Sequence, residues 1–357
     1  MNSKKATVSI QLNWILILIA GAIILVFFTT IVTKQKSVSE ANIAETIQTD
    51  LQAIFSSAHI STGTSSIVDV PNTDLNFNCE GFKIGNQFAA KFQYAFAPDL
   101  IKSERNTLSI FSSDWSIPFR VTNFLYVTSP DVRYIIDESS DANLAQELEK
   151  QLPSRYITRD GQSNLFMNKE LITDLNNIQD KNNYKVNLIT FNKIPEMTLL
   201  NNKLSKTKPK HITGLNIDII GCTAESEEKR LDCYGDLTFF YFEEGVIKSS
   251  STTFIGKASL FAAIFASNYQ TYECGMKNAF TRFHNVTKIY IQRTTDLAAA
   301  DADCQALLND ALNPLNTLDS ILHGGDYSIL YSTAYEAPSG LESKNENIID
   351  RSCPVIY

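Results

Sequence analysis

The sequence predicts a mixed α/β protein of the α+β kind that is held to a membrane by its N-terminus. Three observations carry this prediction. An uncharged apolar run occupies residues 12–32, an alternation of strand and helix patterns begins near residue 133, and all six cysteines lie after the apolar run. The roughly 300 residues beyond that run are enough to bury a sizeable core.

Four segments follow from this division of the chain. They are a cytoplasmic N-terminus with a processing signal (1–11), a transmembrane helix (12–32), an amphipathic stalk helix (33–58) and an extracytoplasmic α/β domain (59–357), whose helical part covers about 257–323.

The apolar run, LNWILILIAGAIILVFFTTIV, has 21 residues. At about 1.5 Å per residue, a helix of this length spans the roughly 30 Å hydrocarbon core of a bilayer. A removed secretory signal has a shorter apolar region and a small-residue cleavage site after it. The residues that follow here, TKQKSVSEAN, contain no such site. We therefore expect a retained anchor whose first partner is the lipid bilayer.

The orientation of the anchor depends on the cysteines. Lys4 and Lys5 precede the apolar run, while Lys34 and Lys36 follow it, so the distribution of basic residues is nearly balanced. An even number of cysteines on one side of a membrane segment is typical of disulfides in an oxidising compartment. This indicates a single-pass cell-membrane protein with a cytoplasmic N-terminus and a large outer domain.

The residues before the run, KKATVSIQ from Lys4 to Gln11, resemble the archaeal class III signal of type IV pilin-like proteins. The resemblance implies a cut between Ala6 and Thr7, with Ser9 as the matching serine and Gln11 where the family usually has Glu. It also implies contacts with other membrane or pilus-like subunits through the N-terminal helix. A plain N-terminal anchor is the alternative. The chain further resembles uncharacterised archaeal membrane-anchored surface proteins, which supply no activity.

An apolar stripe continues beyond the membrane run. Its members follow steps of four, four, three and one, which is one face of a helix: Ile43, Ile47, Leu51, Ile54 and Phe55. No proline or glycine interrupts residues 23–62. The pattern predicts one long helix whose second half lies on the outer domain. A free stalk and a short coiled-coil seam are the alternatives.

The outer domain begins with strand patterns, which are bounded by turn residues. The predicted strands cover 66–70, 75–79, 82–84, 107–115, 119–127 and 132–137. Next come a helix that is capped within residues 140–143 and ends at Gln151, a second helix over Asn168–Ile178, and a strand over Lys185–Phe191. Such alternation predicts a parallel, Rossmann-like portion.

Ligands of such folds bind beyond the carboxyl ends of the strands. This places Asp137, Glu138 and Asp141 beside any ligand crevice. The alternative interpretation is a solvated helix cap and loop. The chain contains neither G-x-G-x-x-G nor G-x-x-x-x-G-K-[ST], so nothing in it indicates nucleotide binding.

The rest of the domain is predicted from the same kinds of pattern. We expect a lysine-bearing loop over Asn201–His211, and then strands over 214–221, 234–243 and 246–254. The C-terminal part is predicted as a helical hairpin: helices over 257–293 and 296–312, and a third that starts at Pro314.

Six cysteines allow 15 pairings, so these hypotheses rest on position alone. We expect Cys222 with Cys233 around a short loop, Cys274 with Cys304 between neighbouring helices, and Cys79 with Cys353 as the remaining pair. No pair has the C-x2-C spacing of a zinc site, so no metal is expected. The sequon at Asn285 fits an outer location.

The remaining features favour a protein that is not an enzyme. The net charge of −8 argues against a nucleic-acid partner, which would require a basic face. The chain has no G-x-S-x-G and no H-E-x-x-H, and no cofactor is indicated. We expect a membrane-anchored surface protein that works in envelope assembly or adhesion. An anchored ligand-binding domain and an unrecognised extracytoplasmic enzyme are the alternatives.

Overall fold

The structure is a computed structural model. It describes residues 3–61, 63–70, 74–78, 81–84, 87–89, 94–102, 107–153, 155–157, 163–181, 183–204, 211–222, 233–243, 246–325, 327, 329–336 and 340–357. The chain divides into two compact units, Met1–Leu51 and Gln52–Tyr357, which are described separately.

The first unit consists of the greater part of helix α1, which begins at Ser3 and continues without a break to Ile60, so that its last residues belong to the second unit. Within it, Leu18–Gln35 is long and apolar enough to cross a membrane, and none of this stretch is buried. Threonine hydroxyls near its end donate to carbonyls of the preceding turn, for example Thr30 Oγ1 to Val26 O at 2.7 Å. These bonds satisfy the hydroxyls inside the helix itself, which suits a nonpolar solvent.

Two small sheets open the second unit. The first has the order β1-β7-β8-β5 and is antiparallel except where β5 pairs with β8; its strands are β1 Ser65–Asp69, β5 Ala95–Phe96, β7 Thr107–Ser116 and β8 Arg120–Thr128. The second is antiparallel, with the order β4-β3-β2-β6; its strands are β2 Asp74–Asn78, β3 Gly81–Ile84, β4 Gln87–Ala89 and β6 Leu100–Lys102.

The main sheet has six strands in the order β12-β9-β13-β14-β15-β16. Its strands are β9 Val132–Asp137, β12 Asn168–Ile172, β13 Lys185–Phe191, β14 His211–Cys222, β15 Cys233–Glu243 and β16 Val246–Ile255. The first four in spatial order are parallel and the last two are antiparallel. Helix α2 (Ala142–Gln151) and the hairpin β10–β11 (Arg155–Ile157, Ser163–Leu165) connect β9 to β12, and helix α3 (Met197–Leu204) connects β13 to β14.

Two predictions in this region are wrong. The segment predicted as a helix over Asn168–Ile178 forms strand β12, paired with β9, followed by a short 3-10 turn at Leu175–Asn177. An apolar spacing over one short segment suits both structures, and the open edge of β9 selects the strand. The predicted loop over Asn201–His211 is also partly structured, because α3 includes its first residues and β14 begins at His211; residues 205–210 lie outside the described ranges.

Within the described part of the chain, five helices complete the second unit. They are α4 Gly256–Ala266, α5 Tyr269–Ala300, α6 Gln305–Gly324, α7 Leu330–Tyr335 and α8 Leu341–Asp350. The predicted division into helices over 257–293 and 296–312 is wrong, because the chain breaks at Ser267 and Asn268, between α4 and α5, and α5 then continues to Ala300. The chain turns at Asp301, whose Oδ1 accepts the N–H groups of Asp303 and Cys304. Pro314 does not begin a helix but lies inside α6.

The core lies on both sides of α4. This helix is apolar on every face, and residues 258–266 are all buried, as expected for a helix enclosed by other elements. Tyr126 of β8 donates its hydroxyl to Ala258 O at 2.9 Å, while Asn187 of β13 donates to Ile264 O at 2.8 Å. Helix α4 is therefore held between the first small sheet and the main sheet.

The disulfides confirm one predicted pairing and correct another. Cys222 is bonded to Cys233 across the ends of β14 and β15, as predicted. Cys304 is bonded to Cys353, so the predicted partners Cys274 for Cys304 and Cys79 for Cys353 are wrong. Cys274 is also disulfide-bonded, and Cys79 lies outside the described residues. The Cys304–Cys353 bond ties the turn before α6 to the C-terminal tail, a proximity that only the folded helices create.

Candidate functional site

The position of the candidate site follows from the way in which the parallel strands are connected. From β9 the chain passes to β12 on one side, whereas from β13 it passes to β14 on the other side. Strands β9 and β13 are neighbours, so the two connections diverge at their carboxyl ends. Divergence of this kind leaves a crevice at the edge of a sheet, which is where open α/β sheets bind ligands.

A crevice of about 790 Å³ lies at this edge. One wall is the polar side of α2, which contributes Asp141, Asn143, Gln146, Glu147 and Lys150. The opposite wall comes from the ends of β13 and β14 and includes Asn192, Ile219 and Cys222. The volume is within the range of small-molecule sites. The described lining residues offer carboxylates, amides and the ammonium group of Lys150, a set suited to hydrogen bonding.

The three residues predicted to lie beside a crevice occupy different positions in the structure. Asp141 lines the crevice and is also the N-cap of α2, where its Oδ1 accepts the N–H of Leu144 at 3.0 Å. Asp137 is buried at the end of β9 and accepts the N–H of Ser139 at 3.0 Å. Glu138 accepts a hydrogen bond from Gln146 at 3.1 Å. Asp137 and Glu138 shape the entry to α2, and only Asp141 is in the wall.

Sequence reasoning missed Asn192, which directly follows β13. Its φ of 56° is in the left-handed region, where asparagine is enriched among non-glycine residues. The residue beside it is held by Asn216 of β14, whose Oδ1 accepts the N–H of Lys193 at 2.8 Å and the hydroxyl of Thr190 at 3.2 Å. The rule that ligands bind beyond strand ends could have identified Asn192 once Lys185–Phe191 was read as a strand.

The remaining predicted site residues lie elsewhere. Ala6, Thr7 and Ser9 are within α1, and cleavage between Ala6 and Thr7 stays a prediction. Asn285 is exposed on α5, but Thr287 of its sequon is buried and donates to Phe283 O at 3.0 Å. Glycosylation there stays a prediction as well. Across the ranges described above, no cluster of three or more histidine, cysteine or acidic side chains could hold a metal ion.

Comparison of the chain with protein-family models, with curated proteins and with solved structures gives no match.

Proposed function

We propose that this chain is a single-pass, membrane-anchored surface protein of pilin-like design, non-enzymatic, that displays its outer domain for envelope assembly or adhesion. The observation that carries the proposal is helix α1. It joins an apolar, unburied stretch over Leu18–Gln35 to the disulfide-bearing second unit without a break. Side chains such as Leu18 and Leu25, 73% and 66% exposed, would be unfavourable in water over so long a surface.

The orientation follows from redox chemistry. The disulfides Cys222–Cys233 and Cys304–Cys353 belong to a domain that folds in an oxidising compartment. In the proposal the N-terminus is therefore cytoplasmic and the second unit is outside. Lateral contacts with neighbouring subunits are made by the N-terminal helix.

The test is protease accessibility in intact cells, combined with mass spectrometry of the mature N-terminus. We expect protease to remove the second unit from the cell surface and the protein to resist extraction by alkaline carbonate. A start at Thr7 supports pilin-like processing, whereas a start at Met1 or Asn2 leaves a plain anchor. The variant Val26→Lys should weaken retention in the membrane, because a central lysine costs about 3 kcal/mol; Thr33→Val, which adds no charge, is the control. A protein that is released by carbonate, or protected from external protease, would contradict the proposal.

The crevice supports a second candidate, an anchored ligand-binding domain with a Rossmann-like portion formed by the four parallel strands. The amide and carboxylate groups of Asn143, Gln146, Asn192 and Glu147 suit a hydroxyl-rich ligand such as a sugar of the envelope. The probes are glucose, mannose and N-acetylglucosamine, titrated against the full chain in lipid nanodiscs. Asn192→Gly keeps the left-handed backbone and removes the amide, so binding should weaken. Failure of all three sugars to bind would argue against this candidate and leave the anchor untouched.

A further inference from the structure

A second cavity, of about 330 Å³, lies at the opposite end of the main sheet from the crevice. It begins beside His211, the first residue of β14, and Asp99, which is ion-paired with Lys185, the first residue of β13. The parallel strands start here, and this cavity and the crevice have no described lining residue in common. Ligand binding in this cavity is therefore independent of the proposed function.

The floor of the cavity is the face of the main sheet that carries α4 and α5. In the register of the strands Thr213 is opposite Tyr241, and Phe239 is opposite Ser250, so these four side chains are on one face. The phenyl ring of Phe239 lies edge-on to Tyr269 of α5, with centroids 6.4 Å apart. Aromatic rings therefore form an apolar surface against which a flat group can pack.

The turn between α4 and α5 forms the opposite wall. Ser267, with a φ of 58°, ends α4 in the left-handed region, and Asn268 caps α5 by accepting the N–H of Thr271 at 2.8 Å. Backbone conformations of this kind cost free energy and cluster where a segment must take a special course. Here the turn places the first residues of the 32-residue helix α5 in the wall of the cavity.

One side chain in this wall has a hydroxyl open to the cavity. Thr271 is only 8% exposed, and among the described residues its hydroxyl has no hydrogen-bond partner. A second hydroxyl in the cavity, Thr213 Oγ1, has only a long bond of 3.4 Å to Asn187 Oδ1. The cavity therefore presents hydrogen-bonding groups that a bound molecule would satisfy.

The charges around the cavity decide whether that molecule is an anion or a cation. The first turn of α5 leaves backbone N–H groups without intrahelical partners and carries the positive end of the helix dipole. The nearby carboxylate of Asp99 is already neutralised by the ammonium of Lys185. An amine would therefore meet a repelling helix end and an occupied carboxylate, whereas a carboxylate would meet N–H and hydroxyl donors.

We propose that this cavity binds a small aromatic carboxylate. Its carboxylate accepts hydrogen bonds from Thr271 and the first turn of α5, and its ring packs on Phe239 and Tyr269. The volume is near the lower limit of ligand pockets, which restricts the ligand to about one ring with a short side chain.

The experiment is a ligand-observed NMR titration of the full chain in lipid nanodiscs, with empty nanodiscs as background. The probes are phenylacetate, its cationic counterpart benzylamine, and acetate. We expect phenylacetate to bind with a Kd of about 0.1–1 mM, and benzylamine and acetate to bind at least tenfold more weakly. Equal binding of benzylamine, or no binding of phenylacetate, would overturn the proposal.

Substitutions distinguish the effect of the Thr271 hydroxyl on ligand binding from any effect on folding. Thr271→Val keeps the shape and removes the unpartnered hydroxyl, so phenylacetate should bind about tenfold more weakly while the protein stays folded. Phe239→Leu, which reduces the aromatic wall, should weaken binding as well. The matched control is Thr287→Val, which removes another buried hydroxyl of α5 remote from the cavity. Unchanged affinity in both Thr271→Val and Phe239→Leu would overturn the proposal.

Discussion

Gly275 of α5 lies against the ring of Phe96, so close that a Cβ added to the glycine would be 2.5 Å from Cε1 of the phenylalanine. Phe96 is fully buried, and its ring is packed against Phe124 and Tyr272, which restricts its movement away from α5. Gly275→Ala should therefore destabilise the protein by about 1–3 kcal/mol through overpacking, although alanine is the better helix former by about 1 kcal/mol. The measurement is the midpoint of urea unfolding.

The control for that substitution is Gly324→Ala. Gly324 is also helical, at the end of α6, and nothing lies within 4 Å of a Cβ built there. We expect unchanged or slightly increased stability, by up to about 1 kcal/mol. If both alanine variants behaved alike, the close approach of α5 to Phe96 would not be a determinant of stability.

A second prediction concerns the ion pair between Lys185, whose side chain is 1% exposed, and Asp99. Asp99→Asn leaves a buried ammonium without its counter-charge and should cost about 2–3 kcal/mol at pH 7. Lys185→Met in the same chain should recover most of that loss, because the buried charge is then gone. Urea unfolding of the two single variants and the double variant measures the coupling; strictly additive losses would contradict it.

The same pair predicts an acid-sensitive step. Burial alone would raise the pKa of Asp99, but the Lys185 ammonium outweighs it and holds that pKa below the ordinary value. A carboxyl with a depressed native pKa adds stability above its unfolded pKa, near 4, and loses it as the pH falls through the native value. We expect a loss of stability below about pH 4 that is smaller in Asp99→Asn, measured by urea unfolding from pH 7 to pH 3. Identical pH profiles would contradict this assignment.

The disulfides Cys304–Cys353 and Cys222–Cys233 should contribute unequally to stability. Cys304–Cys353 closes a separation of 49 residues and Cys222–Cys233 one of 11. Constraint of the unfolded chain predicts about 4 kcal/mol for the first and about 3 kcal/mol for the second. Paired Cys→Ala substitutions at each bond, compared by thermal unfolding, should give the larger decrease for Cys304/Cys353. The reverse order would mean that strain or residual structure outweighs chain entropy.

The last prediction separates the two roles of Asp141. Asp141→Ala removes the cap of α2 and should cost about 1 kcal/mol, whereas Asp141→Asn keeps a capping oxygen and should be nearly neutral. Because Asp141 also lines the crevice and both variants remove its carboxylate, sugar binding there should weaken in both. Circular-dichroism melts and the nanodisc titration measure the two effects. Equal destabilisation by alanine and asparagine would show that the side-chain oxygen does not stabilise the helix.

Sequence reasoning was most accurate where the pattern is local. Strand β13 over Lys185–Phe191 and the helix capped at Asp141 are correct because an apolar run and a capping residue act within a few positions. The pairing of Cys222 with Cys233 is correct for the same reason, since the two cysteines end adjacent strands of a hairpin.

The errors occur where distant segments decide the outcome. Asn168–Ile172 has a helix-like spacing, yet it becomes a strand because β9 offers an unpaired edge. Cys304 meets Cys353 because α6, α7 and α8 return the tail to the start of α6. The second cavity combines Asp99, His211, Phe239 and Thr271 from four separate elements, and no spacing in the chain could have brought them together.

The sequence by itself determined the apolar helix, the mixed α/β character and the carboxyl-end position of Asp141, because each depends on periodicity or on immediate neighbours. Only the tertiary structure decided which cysteines meet, which side chains line each cavity, and where a glycine must admit a buried ring. Those features arise from packing between segments far apart in the chain, where burial and shape, rather than local preference, select among the alternatives that the sequence leaves open.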